Sequence, residues 1–391
     1  MTSKKIDILI NNKILILKDC KMKKFVKMSL VAAVTLSGLT SSVSANTLTE
    51  VADKFDVFGY VQARYDNSNS TDKTSNDTFT HKEVLGATGK LTDDLSYMFA
   101  GANLEVDGKD AGIGYSNLLM VYNYFTYTGI ENTSIAAGRQ GLDTPLTVVY
   151  DPATATSEAN GVSVNTKLGA VSLNASYFIN TNFDLGDKKS SFPGTAITGG
   201  ESYGQIGLTT KAGPLAIDAW YATMADKYDS YTLGAEASIK AGDTMIKPYA
   251  RYTAADIDGV NENQSLWKVG ISAKAGILGG NIDYGQTDKE GGWVTFDEDA
   301  SVNLLGWKVG LLGNADAKLM KAGLNVDVLP DLNLSANYVD MDVASLNKNE
   351  IYATATYKIT KGITAYARFG QVDEDGKDKE EFSRVNLLWL F

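Results

Sequence analysis

The side chains able to carry chemistry are few. The sequence holds one histidine, His81, and one cysteine, Cys20. A metal centre built on two histidines or on several thiolates is therefore excluded. A serine–histidine nucleophile could be built only on His81, and its surroundings, Phe79-Thr80-His81-Lys82-Glu83, carry no partnered serine signature. No glycine loop of the phosphate-cradling kind occurs, and no enzyme is expected. What remains is electrostatic. Five arginines, Arg64, Arg139, Arg251, Arg368 and Arg384, each lie inside a segment that alternates apolar with polar residues. Rings of charged side chains around an aqueous passage set ion selectivity.

The elements that must position those arginines are strands. From about residue 55 onward the chain repeats one phrase of roughly ten alternating residues followed by a turn or a longer polar loop. Tyr231-Thr232-Leu233-Gly234-Ala235-Glu236-Ala237-Ser238-Ile239-Lys240 is one case, and Val171, Leu173, Ala175, Tyr177 and Ile179 mark one face of another. The pattern predicts eighteen strands: 55–66, 79–91, 95–105, 115–128, 133–141, 158–168, 171–180, 202–211, 215–226, 228–240, 244–256, 264–275, 277–286, 315–328, 332–342, 350–360, 363–373 and 381–391. In a transmembrane barrel one face of each strand meets lipid and the other a wet lumen, and single-chain bacterial barrels have an even strand number. The fold class is therefore all-β: an antiparallel up-and-down transmembrane barrel. A soluble sandwich or solenoid would have to cover the Leu, Val, Ile, Tyr and Phe of strand after strand, and the connecting sequence is too short to do so.

Parity then gives direction. In the first strand Phe55, Val57, Gly59, Val61, Ala63 and Tyr65 share one face, so Arg64 points inward. Arg368, between Ala367 and Phe369, and Arg384, beside Val385, point inward too. An arginine facing lipid at the midplane costs about 2–4 kcal/mol, which supports this facing. The last strand must close against the first, so Arg64, Arg368 and Arg384 should cluster on one wall, with Lys247, Tyr249 and Arg251 extending a basic lining. They could serve transport, or be ordinary lumen residues balanced by neighbouring acids.

The links support the barrel. Short links at 92–94, 129–132, 169–170, 212–214, 242–243, 329–331 and 361–362 largely alternate with long ones at 67–78, 142–157, 181–201, 287–314 and 374–380. From a periplasmic start every tight turn falls on the periplasmic side; position 227 is a short link on the outer side. The loop after the fifth strand, reading on from Gly138-Arg139-Gln140-Gly141-Leu142-Asp143-Thr144-Pro145-Leu146-Thr147 to Tyr150-Asp151-Pro152, mixes apolar anchors with acids. Folded inward, it would form a constriction in which Asp143, Asp151 and Glu158 face the arginine wall; the alternative is an external loop. The acidic groups Asp297-Glu298-Asp299, Asp340 with Asp342, and Asp373-Glu374-Asp375 lack EF-hand spacing and are read as solvated loops, with calcium as a possible ligand.

Both termini carry addresses. Met22-Lys23-Lys24-Phe25-Val26-Lys27 is a basic region, Met28 to Leu39 an apolar core too short to anchor, and Val43-Ser44-Ala45 a small–x–small site. Cleavage is expected between Ala45 and Asn46. Residues 1–45 thus divide from a single barrel domain, 46–391, and residues 1–21 fit an export signal so badly that translation is expected to start at Met22. Without residues 1–45, which hold eight lysines and two aspartates, the chain has no cysteine and carries 28 basic against 45 acidic residues, net −17. That acidity argues against a nucleic-acid partner. At the other end Phe391, Trp389, Leu387 and Val385 form one apolar face. A terminal aromatic on such a strand resembles the signal read by the barrel assembly machinery. The remaining expected partners are outer-membrane lipid and lipopolysaccharide.

At Gly138 to Leu146, and again at Ala216-Ile217-Asp218-Ala219-Trp220-Tyr221 followed by Tyr228, the sequence resembles the OprD-like porins and the related Campylobacter-type major outer-membrane porins. The resemblance runs from the signal peptide to Phe391. It implies an eighteen-stranded porin, often a homotrimer, with an inward third outer loop, a basic ladder opposite acids, and calcium in some relatives. The expectation is a water-filled channel for ions and small hydrophilic solutes, mildly cation-preferring. The alternative is a structural or adhesive surface barrel with a plugged lumen.

Overall fold

A computed structural model describes residues 55–391 apart from 71–72, 109–118, 149–156, 184–191, 195 and 345. Met22, the Ala45–Asn46 junction, Tyr150 and Asp151 lie outside the described residues. The described strands are β1 (Phe55–Ser70), β2 (Lys73–Lys90), β3 (Leu95–Gly108), β4 (Leu119–Ile130), β5 (Thr133–Gly141), β6 (Glu158–Leu168), β7 (Val171–Thr181), β8 (Tyr203–Ala212), β9 (Leu215–Met224) and β10 (Tyr228–Ala237). They continue with β11 (Ile239–Ala241), β12 (Thr244–Ile257), β13 (Gln264–Ala275), β14 (Leu278–Thr287), β15 (Ala317–Leu329), β16 (Leu332–Val343), β17 (Leu346–Lys358), β18 (Ile363–Glu374) and β19 (Glu380–Leu390). Strands β10 and β11 both pair with β12 and are one wall element interrupted at Ser238, so the wall has eighteen antiparallel strands.

Closure falls where parity predicts it. Strand β19 pairs with β1 from Tyr60–Leu390 to Ser70–Glu380. Gly59 and Phe391 then exchange backbone hydrogen bonds of 3.0 and 3.1 Å. Gly59 is needed there, because a Cβ would press on the Phe391 ring.

The alternation sorts side chains by face. Tyr231 and Leu233 in β10 are exposed while Ser230 and Thr232 are buried. The same outward exposure recurs at Leu208, Ile271, Ile282, Leu324, Ile351 and Leu387 around the wall. A water-facing surface seldom carries a contiguous apolar patch above a few hundred Å², so a wall apolar on the outside all the way round belongs in hydrocarbon. The core lies inside the barrel instead, where Leu142, Leu146 and Val148 pack in one buried cluster with Val294, Phe296 and Leu311.

One predicted link is not a loop. Residues 67–78 belong mostly to β1 and β2, which pair as far as Ser70–Lys73. Their Asn, Ser, Asp and Thr residues read as loop because both faces are polar, yet the hairpin continues the ladder. By contrast 142–157 and 288–316 are long connections at the same end of the wall.

Candidate functional site

The inward face brings distant charges together through register. Arg368 lies opposite Arg384 across β18–β19, and Arg384 opposite Asp66 across β19–β1. Two guanidiniums side by side repel, and a carboxylate beside them relieves this. Asp66 accepts a hydrogen bond from Arg384 Nε at 2.5 Å and forms an ion pair with Arg64, Nε lying 2.7 Å from its other oxygen. Arg251 makes a two-pronged contact with Asp218, at 2.7 and 2.9 Å, and a third bond to Thr232 Oγ1 at 3.0 Å. Those partners sit on β12 and β9 with Gly234 of β10 between them, and a Cβ on Gly234 would overlap the Arg251 guanidinium. Lys247 shares the parity of Tyr249 and Arg251 on β12; Tyr249 donates to Asp283 Oδ1 at 2.9 Å over Gly270.

Arg139 does not join the arginine wall. It bonds Glu158 Oε2 at 2.8 Å on the adjoining strand and stays partly exposed. Glu158 is buried there. Beside it Gln140 is buried and accepts a bond from Ser163 Oγ.

Two loops fill part of the interior. The first tightens on itself. Thr147 Oγ1 donates to Leu142 O at 2.6 Å, Leu142 N to Ser157 O at 2.9 Å, and Ser157 N to Val148 O at 2.7 Å. This leaves Leu142, Thr144, Leu146 and Val148 buried, Pro145 partly buried and Asp143 exposed. The second, 288–316, meets the first: Val302 N donates to Pro145 O at 3.1 Å and Thr295 Oγ1 to Leu146 O at 2.5 Å.

The second loop is also held by the wall. Lys268 Nζ donates to Ser301 O and Asn303 O at 2.6 and 2.5 Å, and Lys321 Nζ to Leu305 O at 2.7 Å. Glu350 accepts from the amides of Trp307, Lys308 and Val309. The Trp307 ring then lies under two guanidiniums, with Arg368 5.1 Å and Arg384 5.5 Å from its centre. Cation–π contacts at such distances are worth about 0.5–2 kcal/mol. The arginine wall is thus met by Asp66 and Trp307.

Sequence reading passed over this loop. Its Asp297-Glu298-Asp299 suggested a solvated segment, yet Asp297 is buried. The signal available was apolar: two tryptophans and the pairs Leu304-Leu305 and Leu311-Leu312 are too many for an external loop. The other acidic groups are also engaged or placed in strands. Glu374 bonds Lys377 and Lys348, Asp373 bonds Lys379, and Asp340 and Asp342 lie in β16. Among the described residues no group of three or more His, Cys, Asp and Glu side chains could hold a metal ion. The His81 ring lies against that of Phe79, centres 4.6 Å apart and planes tilted by 45°.

Comparison with known proteins agrees with this architecture. Solved structures sharing the fold include Pseudomonas aeruginosa OccK5 (OpdH), 12% identical with a TM-score of 0.72, covering 87% of this chain and 98% of that one. Pseudomonas aeruginosa OccK2 (OpdF) in complex with glucuronate is 13% identical, with a TM-score of 0.71 and coverage of 87% and 98%. Acinetobacter baumannii OccAB4 is 13% identical, with a TM-score of 0.70 and coverage of 86% and 98%. No curated protein sequence matches the chain. Residues 22–377 match the family described as Campylobacter major outer membrane protein. A closed eighteen-stranded wall, apolar outside and charged within, joined to that match over most of the chain, makes this protein a member of the Campylobacter major outer membrane protein family of outer-membrane porins.

Proposed function

We propose that the protein is a passive diffusion channel for ions and small hydrophilic solutes, narrowed where the 142–157 and 288–316 loops meet and mildly cation-preferring. The observation that carries this reading is the polar, charged inward row enclosed by an apolar outer face. Arg64, Arg251, Arg368 and Arg384 would line the passage with Lys247. The cation preference rests on charge balance. Asp66 offsets one of the two charges of Arg64 and Arg384, and Asp218 offsets that of Arg251, while the sequence from Asn46 onward carries the acidic surplus.

Recordings from the purified protein in a planar bilayer under a salt gradient test it. The reversal potential should have the cation-selective sign; the anion-selective sign would overturn the preference. Replacing Arg64, Arg368 and Arg384 together with glutamine should move the potential further in the cation direction. No movement would mean that they do not line the passage. Glucuronate, present in the OccK2 complex, and an amine of similar size are a suitable first pair of solutes.

A second reading has its own support. The apolar cluster of Leu142, Leu146, Val294, Phe296 and Leu311 inside the barrel would suit a plugged surface protein. An electrically silent purified protein would favour it.

Assembly as a homotrimer is supported by a polar interruption of the outer face. Glu83 shares a strand face with exposed Leu85 and accepts a 2.9 Å bond from Asn103 on β3. A carboxylate and an amide facing hydrocarbon are costly, and a second copy against β2–β3 would remove them from lipid. Crosslinking in the outer membrane should give trimers. Export by the signal cleaved between Ala45 and Asn46, and delivery to the barrel assembly machinery through Phe391, Trp389 and Leu387, complete the proposal. N-terminal sequencing of the membrane-bound protein tests the cleavage.

A further inference from the structure

We propose that Glu350 is the positioning residue that keeps the passage open at a fixed bore, by pinning the 305–310 hairpin of the long loop flat against the wall. The inference rests on the diffusion-channel reading and adds a residue to it. Glu350 sits on the inward face of β17 and is fully buried. A buried carboxylate is tolerated when donors surround its charge. Here three successive backbone amides converge on it: Trp307 N at 3.1 and 3.0 Å to the two oxygens, Lys308 N at 2.9 Å and Val309 N at 3.3 Å. Successive amides turned to one side form an anion-holding nest.

The opposite edge of the hairpin carries the opposite requirement. Leu305 and Gly310 bridge its base, and Leu305 O accepts from Lys321 Nζ at 2.7 Å. Lys321 and Glu350 lie in one cross-strand row on either side of Val339. The hairpin therefore seats with amides toward β17 and a carbonyl toward β15, and the reverse orientation would oppose like to like. Gly306 is the residue that touches down. A Cβ there would overlap Glu350 Oε2 and crowd Val339, so only glycine lets the carboxylate reach the nest. Seated this way, the hairpin lays Trp307 on Arg368 and Arg384. Without the carboxylate three amides lose their partner, and only Lys321 and the ring contacts of Trp307 are left to keep the hairpin from swinging into the lumen.

Single-channel recording reads that motion as brief closures. Glu350→Ala should raise the closure frequency by at least about 100-fold, which is about 2.7 kcal/mol and within the worth of a single hydrogen bond to a charged group. Glu350→Asp, which keeps the charge on a shorter arm, should fall between Glu350→Ala and the unmodified protein. A pair of substitutions, Gly306→Cys with Glu350→Cys, supplies a covalent replacement, since the sequence has no cysteine other than Cys20. Its closures should vanish on oxidation and return on reduction, which a general weakening of the barrel would not produce. A Glu350→Ala current as steady as that of the unmodified protein would overturn the proposal. If Glu350→Ala fails to fold, the aspartate variant and the cysteine pair carry the test. If the unmodified protein passes no current, the channel reading fails instead. Hydrogen exchange at amides 307–309 then decides whether Glu350 holds the hairpin, with equal protection in Glu350→Ala and the unmodified protein counting against it.

Discussion

The two long loops reach the interior by different means. The 142–157 loop is tied by its own atoms: Thr147, Leu142, Val148 and Ser157 bond one another, and its leucines supply the buried contacts. The 288–316 loop also bonds within itself, as from Leu311 N to Leu304 O and from Asn303 Nδ2 to Glu298 O, but Lys268, Lys321 and Glu350 on three separate strands hold its backbone in addition. A self-tied loop keeps its shape wherever it is placed. A loop held by the wall as well has its position fixed by the barrel, and that position reports on the register of β13, β15 and β17.

That contrast can be broken at the wall first. Lys268→Met with Lys321→Met leaves the carbonyls of Ser301, Asn303 and Leu305 without their donors. At about 1.5–3 kcal/mol for each charge-assisted bond, amides 302–311 should exchange hydrogen far faster while 142–148 keeps its protection. Equal loosening of both loops would erase the distinction.

Thr147→Val should act the other way and more weakly. Losing its bond to Leu142 O costs about 0.5–1.5 kcal/mol, and mass-spectrometric hydrogen exchange should localise the effect to 142–148. Spread to 302–311 would show that the second loop leans on the first. The smallest effect is expected where the loops touch. Thr295→Val removes the bond to Leu146 O, and combined with Thr147→Val in a double-mutant cycle it should give a coupling of about 0.5 kcal/mol or more, as contacting residues do. Strict additivity would mean that the two loops are independent bodies.

The sequence makes the wall legible because its rule is local. A side-chain period of two, read strand by strand, gives the outward rows, the inward direction of Arg64, Arg368 and Arg384, and the closure of the last strand on the first. The failures have equally specific reasons. The 67–78 hairpin extension is polar on both faces, so no alternation marks it. Lys268, Lys321 and Glu350 look like any other inward polar residue, because their partners are backbone atoms of a loop with no pattern of its own. Arg139 sits two residues from Gly141 at a strand end, where its neighbour Glu158 is supplied by the next strand. Only the apolar content of 288–316 announced that it would be buried, and its acids spoke louder.

The bridge from Arg251 to Asp218 across Gly234 has a consequence for assembly fidelity. Slipping β10 by one residue would turn its apolar face into the lumen and is rejected by hydrophobicity alone. Slipping it by two keeps every residue on its proper side, and the membrane cannot tell the difference. Such a slip would bring Thr232 or Glu236 into the place of Gly234, beneath the guanidinium. The missing side chain at Gly234 therefore works as a keyway, rejecting the even-numbered misalignments that an alternating sequence would otherwise forgive.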